Sequence, residues 1–193
     1  MKTEIYFVRH AHSTYTPEEL TRPLSEKGMR DARRVTRILE LENLDHVVSS
    51  PFLRAVQTVE GTAASLNQDV ILIDGFRERL LSSEPLDDFQ GAIHKVWEEP
   101  SFHWEGGESN VDAQKRGVAA MLELLKENEG KRVAVGTHGN IMVLIMNHFD
   151  PRYGLAFWEN LDMPDVYRLT FDGVDLVEVL RLWEPRSEGE ERP

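Results

Sequence analysis

Short β-rich apolar runs alternate with stretches of helical periodicity along most of this chain, and that alternation restricts it to an α/β architecture. The first run, Thr3 to Val8, ends in a polar cluster beginning at Arg9. Ser25 then offers an N-cap to a helix with Ala32, Val35, Ile38 and Leu39 on one face. Asp45 to Ser49 reads as a second strand, and Pro51 suits the first turn of a helix carrying Phe52, Ala55, Val56, Val59 and Ala63. Val70 to Ile73 is a third strand. Over about residues 75–110 the periodicity weakens, with Pro85, Pro100, Gly106-Gly107 and many charges. This is the pattern of an irregular lid or specificity segment, with a short helix around Leu86 to Trp97. From Ser109 to Glu127 a helical pattern returns through Val111, Val118, Met121, Leu122 and Leu125. Lys131 to Thr137 forms a fourth, central strand, and a helix follows over about Asn140 to Asn147. Asp165 to Thr170 and Leu176 to Arg181 pair through the turn at Asp172-Gly173 as antiparallel strands. The expected fold is a three-layer α/β/α sandwich with a mostly parallel central sheet and an antiparallel C-terminal edge. It occupies a single domain, 1–185, followed by a charged tail, 186–193.

Composition narrows the chemistry. A chain of 193 residues is too short for two ordinary domains. It has no cysteine, which excludes disulfides, a thiol nucleophile, thiolate zinc sites and cysteine-ligated clusters. With 34 acidic against 22 basic residues the net charge is -12, so a nucleic acid would be repelled over most of the surface. An anionic substrate would need positive charge gathered locally. The four apolar residues Ile5 to Val8 are too few for a signal-peptide core, and no other run approaches membrane-spanning length. These features lead us to expect a soluble, cytoplasmic protein with no membrane or nucleic-acid partner.

In such a sheet, reactive groups belong just past the carboxyl ends of the strands. There the chain carries Arg9-His10 after the first strand, Ser49-Ser50 leading to Arg54 after the second, Glu78 beyond the third and His138 after the fourth. Two arginines, two histidines and one carboxylate suit phosphoryl transfer. Guanidinium forks bind phosphate oxygens and stabilise the transition state. A neutral imidazole is the available nitrogen nucleophile, provided its other nitrogen is occupied by an acceptor such as a backbone carbonyl. The second imidazole adds a hydrogen bond, and an acid protonates the leaving oxygen. Each residue alone has an ordinary structural explanation. Arg54 can pair with a neighbouring acid, Glu78 with Arg77 or Arg79, and Ser109 can cap its helix rather than touch ligand, with Arg116 bracing Glu108. His94, Trp97, Phe102, His103 and Trp104 either pack the irregular segment onto the sheet or line the leaving-group side of a pocket. His10-Ala11-His12 is also an HxH pattern, so a metal-dependent hydrolase using His10 and His12 is a rival.

The ordered set of motifs resembles the histidine phosphatase superfamily, with its phosphoglycerate-mutase-like fold. VRHAHS, ending at Ser13, resembles the N-terminal signature, SSPFLRAVQT the second arginine motif, FRERL the acid-bearing segment and VGTHGN the second histidine motif. GGES followed by Arg116 resembles the stretch that leads into the long helix. The resemblance implies that His10 attacks phosphorus to form a phosphohistidine, that Arg9, Arg54 and His138 hold the phosphoryl group, and that Glu78 is the proton donor and later helps activate water. Ser13 would occupy a neighbouring position in the pocket, with Ser109 a further substrate contact. Ala11 stands where the family usually has glycine. No metal or cofactor is implied, and the substrate would be a small phosphorylated metabolite. The expected activity is a metal-independent phosphatase, best at mildly acidic to neutral pH. A phosphoglycerate-mutase-type transfer is the nearer rival, disfavoured because the longer insertion and tyrosine-containing signatures of mutases are absent. A silent phosphate-binding protein would have lost the nucleophile or the acid, and this chain retains both.

Overall fold

Alternation along the strands decides the layering. In β1 (Lys2–Arg9), Ile5 and Phe7 face one way and Tyr6 and Val8 the other, and all four are inaccessible to solvent. The computed structural model describes residues 1–185; the charged tail expected at 186–193 lies outside the described residues. The remaining strands are β2 (His46–Ser49), β3 (Ile71–Leu72), β4 (Arg132–Thr137), β5 (Asp165–Asp172) and β6 (Asp175–Arg181), in the order β3-β2-β4-β1-β5-β6. β1, β2, β3 and β4 run parallel, with β4 between β2 and β1. β5 pairs antiparallel with β1, and β6 with β5. This is the expected mixed sheet with an antiparallel C-terminal edge.

Helices cover both faces. On one, α1 (Glu26–Leu39) and α2 (Leu53–Ser65) bury Val35, Leu39, Val59 and Ala63 against Tyr6, Val8, Val47 and Ala134. On the other, α4 (Asn110–Glu127) and α5 (Gly139–Phe149) bury Met121, Leu125, Ile141 and Ile145 against Ile5, Phe7, Val133 and Val135. Large apolar side chains removed from water on two faces supply the main stabilising term. None of the described helices is long and apolar enough to cross a membrane.

Ser25 caps α1 as expected, its hydroxyl accepting from the Gly28 amide. Pro51, by contrast, stands outside α2: the helix begins at Leu53 and Phe52 occupies the N-cap with an extended backbone. The buried face of α2 also carries Arg54, Thr58 and Thr62, a polar stripe that the apolar periodicity did not reveal. On α4, Val111 and Leu122 turn out to be exposed rather than core. The weakly periodic region contains α3 (Phe89–Glu98), preceded by a 3-10 turn at Asp74–Phe76 whose Phe76 ring packs edge-on against Phe7. Trp97 packs on the main core, and Phe102 contacts Trp104 edge-to-face. Of these aromatics, Trp97 takes the packing role. A five-residue helix, α6 (Leu155–Glu159), was not anticipated.

Candidate active site

β1 ends between β4 and β5, so the residues that follow it are held from both sides. The His10 amide donates to the Thr137 carbonyl (2.9 Å). The Ala11 amide donates to Thr58 Oγ1 on α2 (3.0 Å), and the Ala11 methyl is buried with Leu24 and Ala32. Alanine in place of glycine therefore has a packed seat. Close approach is provided instead at Gly28, where a Cβ would collide with the His12 carbonyl.

Two hydrogen bonds set the state of the His10 ring. Nδ1 lies 2.8 Å from the Ala11 carbonyl, which can only accept, so Nδ1 carries the proton. Nε2 is left with its lone pair and accepts from Arg54 Nε at 3.3 Å. Burial pushes the His10 pKa down to about 3, and the charges of Arg54, Arg9 and Arg22 act in the same direction. The ring is neutral at pH 7, with the lone pair of Nε2 turned to the Arg54 guanidinium.

His138 lies edge-on to His10, with ring centroids 5.2 Å apart, and Phe52 closes its other side. Its Nε2 pairs with Ser50 Oγ (2.8 Å), while Nδ1 is buried without a protein partner. Burial first, and then His10 and the nearby arginines, hold His138 well below the usual histidine range. Arg9 directs Nη1 to the carbonyls of Leu161 (3.1 Å) and Asp162 (3.0 Å), and its Nε is likewise buried without a partner. Its guanidinium lies against Gly139, where a Cβ would stand 2.9 Å from Nε. Buried polar groups are as a rule hydrogen-bonded, so the unpartnered Arg9 Nε, a cationic donor on the same strand rim as the neutral His10 ring, suits an oxyanion.

Glu78 reaches the same rim from the far side. Oε1 accepts from the amides of Arg79 (2.8 Å) and Ile141 (3.0 Å), and Oε2 from that of Asn140 (3.1 Å), which ties the carboxylate to the first turn of α5 just after His138. It is not absorbed by its arginine neighbours: Arg77 pairs with Asp74. In the amide orientation that satisfies both groups, Asn140 accepts from Arg79 Nε and Nη2 at 2.7 and 3.1 Å. Ser109 acts as the α4 N-cap, accepting from the Asp112 amide and donating to the Asp112 carboxylate at 2.6 Å. Arg116 braces Glu108 through two hydrogen bonds of 2.8 and 2.7 Å. Ser13 is half-exposed and bridges to Leu24 through its backbone.

His10 and His12 do not form a pair. His12 is exposed, and its Nδ1 meets Ser25 Oγ at 2.8 Å. Among the described residues no group of three or more His, Asp or Glu is arranged to hold a metal ion. Sequence reasoning placed Ser50 at the strand rim, within the second arginine motif, but did not pair it with His138. It also missed the Leu161 and Asp162 carbonyls and Glu19, which carry no local signal.

Known proteins share the fold that carries this site. A family model described as the histidine phosphatase superfamily (branch 1) matches residues 5–181. Phosphoserine phosphatase 1 of Hydrogenobacter thermophilus is 29% identical over 148 residues, 70% of each chain. Phosphoglycerate mutase-like protein 4 of Arabidopsis thaliana is 28% identical over 159 residues, 72% of this chain and 67% of that protein. Among solved structures, a mycobacterial glucosyl-3-phosphoglycerate phosphatase superposes with a TM-score of 0.76 at 21% identity, covering 95% of this chain and 99% of the other. A phosphoserine phosphatase of Entamoeba histolytica in complex with 3-phosphoglyceric acid gives 0.77 at 20%, covering 94% and 98%.

Proposed function

Since the chain belongs to the histidine phosphatase superfamily, we propose that His10 is its nucleophile, that Arg9, Arg54 and His138 hold the phosphoryl group, and that Glu78 serves the leaving oxygen. The chain is a histidine-phosphatase-type hydrolase, cleaving phosphomonoesters through a phosphohistidine. The observation that carries the assignment is the His10 ring itself, neutral, with its proton committed at Nδ1 and Nε2 facing Arg54. The buried, unpartnered Arg9 Nε supports its phosphoryl-binding role, and the edge-on packing of the His138 and His10 rings supports that of His138.

In the first step the Nε2 lone pair attacks phosphorus and the ester P–O bond breaks, with a proton passing from Glu78 to the departing oxygen. In the second, water attacks phosphorus, the P–N bond breaks, and the Glu78 carboxylate takes the proton of that water. Arg9 and Arg54 offset the charge that builds on the phosphoryl oxygens in both steps. The segment 75–110, with α3, is proposed to shape the leaving-group side.

The names of the relatives suggest the class of substrate: phosphoserine, phosphoglycerate and glucosyl-3-phosphoglycerate are all small organic acids bearing one phosphate. We therefore propose a small phosphorylated metabolite of that kind. Wild type and His10→Ala are to be incubated with phosphoserine, 3-phosphoglycerate, an alkyl phosphate and p-nitrophenyl phosphate, with and without chelator, and released phosphate measured. Chelator-resistant release, absent in His10→Ala, is expected. Release that survives the substitution sinks the nucleophile assignment. Loss only with chelator revives a metal mechanism, and isomerised phosphoglycerate without released phosphate points to the mutase.

A further inference from the structure

The guanidinium of Arg54 is held chiefly from outside the set of groups so far given a chemical role. Its side chain is 5% exposed, and buried charge of this kind needs both a counter-ion and full hydrogen bonding. Nε faces His10 Nε2, whereas Nη1 donates to the Glu19 carbonyl (2.8 Å) and Nη2 to Glu19 Oε2 (3.0 Å). Glu19 thus takes the far end of the planar fork, and the Nε side is left turned toward the nucleophile. The other carboxylate oxygen, Oε1, is held by Arg22 Nη2 at 2.6 Å. Arg22 is fixed in turn by two bonds to the Thr16 carbonyl and lies over the Tyr15 ring. The loop carrying Glu19 is pinned to α2 on both sides, through Leu53 N to the Leu20 carbonyl (2.9 Å) and Leu24 N to Gln57 Oε1 (2.8 Å).

We infer that Glu19 is a positioning residue for the reaction: clamped by Arg22, it sets the orientation in which Arg54 presents its Nε side to the phosphoryl group on His10. The inference rests on the proposed role of Arg54 and extends it to a residue in the loop after β1. A half-exposed carboxylate serving only as a surface ion pair would contribute little. One that aims a buried guanidinium acts on the transition state, where a misplaced donor is felt most.

The test compares wild type, Glu19→Ala, Glu19→Gln, Arg54→Ala and the double variant Glu19→Ala/Arg54→Ala. It uses the fastest ester of the panel above and orthovanadate, which mimics the five-coordinate phosphorus. Glu19→Ala is expected to lower kcat about tenfold or more while KM moves less than about threefold, the size expected for a hydrogen bond to a charged group. The vanadate inhibition constant should rise by about the factor by which kcat/KM falls. Glu19→Gln keeps one oxygen for Arg54 Nη2 but loses the charge and the Arg22 clamp, so its rate should fall between those of wild type and Glu19→Ala, and the double variant should be no slower than Arg54→Ala. A Glu19→Ala enzyme as fast as wild type, or faster, overturns the inference, as does a double variant slower than Arg54→Ala by the full Glu19→Ala factor. Arg54→Ala at the wild-type rate instead overturns the role of Arg54 itself, and a different result is then seen in the parent single variant.

Discussion

At the scale of single residues, the site works by denying its side chains alternatives. His10 has one nitrogen spent on a backbone carbonyl and the other facing a permanent cation, so protonation would place charge in a buried cluster of arginines. Arg9 is confined in the same way, between the carbonyls of residues 161 and 162 and the bare Cα of Gly139. Because a Cβ at Gly139 would stand 2.9 Å from Arg9 Nε, a methyl there would push Nε out of line. Gly139→Ala should therefore lower kcat/KM about tenfold or more. The melting temperature should stay level or rise, since alanine favours a helix over glycine by up to about 1 kcal/mol. Steady-state kinetics paired with a circular-dichroism melt would check this; unchanged kinetics would mean that Arg9 has slack.

At the scale of elements, the carboxyl ends of parallel strands and the first turn of α5 share the work. β1 delivers Arg9 and His10, β2 leads through Ser50 into α2 and Arg54, and β4 delivers His138 at the α5 N-cap. Since α5 has no side-chain cap of its own, the amides of Asn140 and Ile141 are satisfied by Glu78 arriving from beyond β3. Capping thus fixes the proposed acid. Glu78→Gln keeps one acceptor oxygen for the Arg79 and Ile141 amides, sets its NH2 against the Asn140 amide, and carries no transferable proton. It should slow hydrolysis of an alkyl phosphate by about a hundredfold or more and that of p-nitrophenyl phosphate far less, because nitrophenolate departs without protonation. Equal losses on both esters would move the role of Glu78 from proton donor to scaffold.

Across the whole molecule, burying two neutral histidines ties stability to pH. His10 has its pKa depressed to about 3 and His138 is held well below 6.5, so between those limits the unfolded chain binds protons that the native one refuses. Stability must then fall as pH drops below 6.5. For His10 the loss is about 2 kcal/mol by pH 5, at about 1.4 kcal/mol per unit, and His138 adds to it in the same direction. Melting temperatures measured from pH 7.5 to 4.5 should show this decline, and His10→Asn should shallow it; a flat wild-type curve would contradict the assignment. The same scale separates what could be read from the chain from what could not. Periodicity of two in β1, β2 and β4, the Ser25 cap and the apolar faces of α1 and α5 were legible, because each depends on neighbours within a few positions. So was the order of reactive residues at the strand ends, since a parallel sheet gathers such ends on one rim. The bounds of α2, the five-residue α6 and the exposure of Val111 and Leu122 were not, because short or two-faced segments are decided by what packs on them. Nothing in the run of Glu18 and Glu19 distinguishes one from the other. Only the folding of their loop onto α2 gives Glu19 to Arg54, and only the pairing of β5 with β1 brings the carbonyls of Leu161 and Asp162, just ahead of β5, to Arg9. Sequence by itself determined the fold class and which candidate groups stand at the strand ends. Their orientation and charge state were decided by contacts between residues far apart in the chain, because desolvation and hydrogen-bond geometry exist only once the layers have closed.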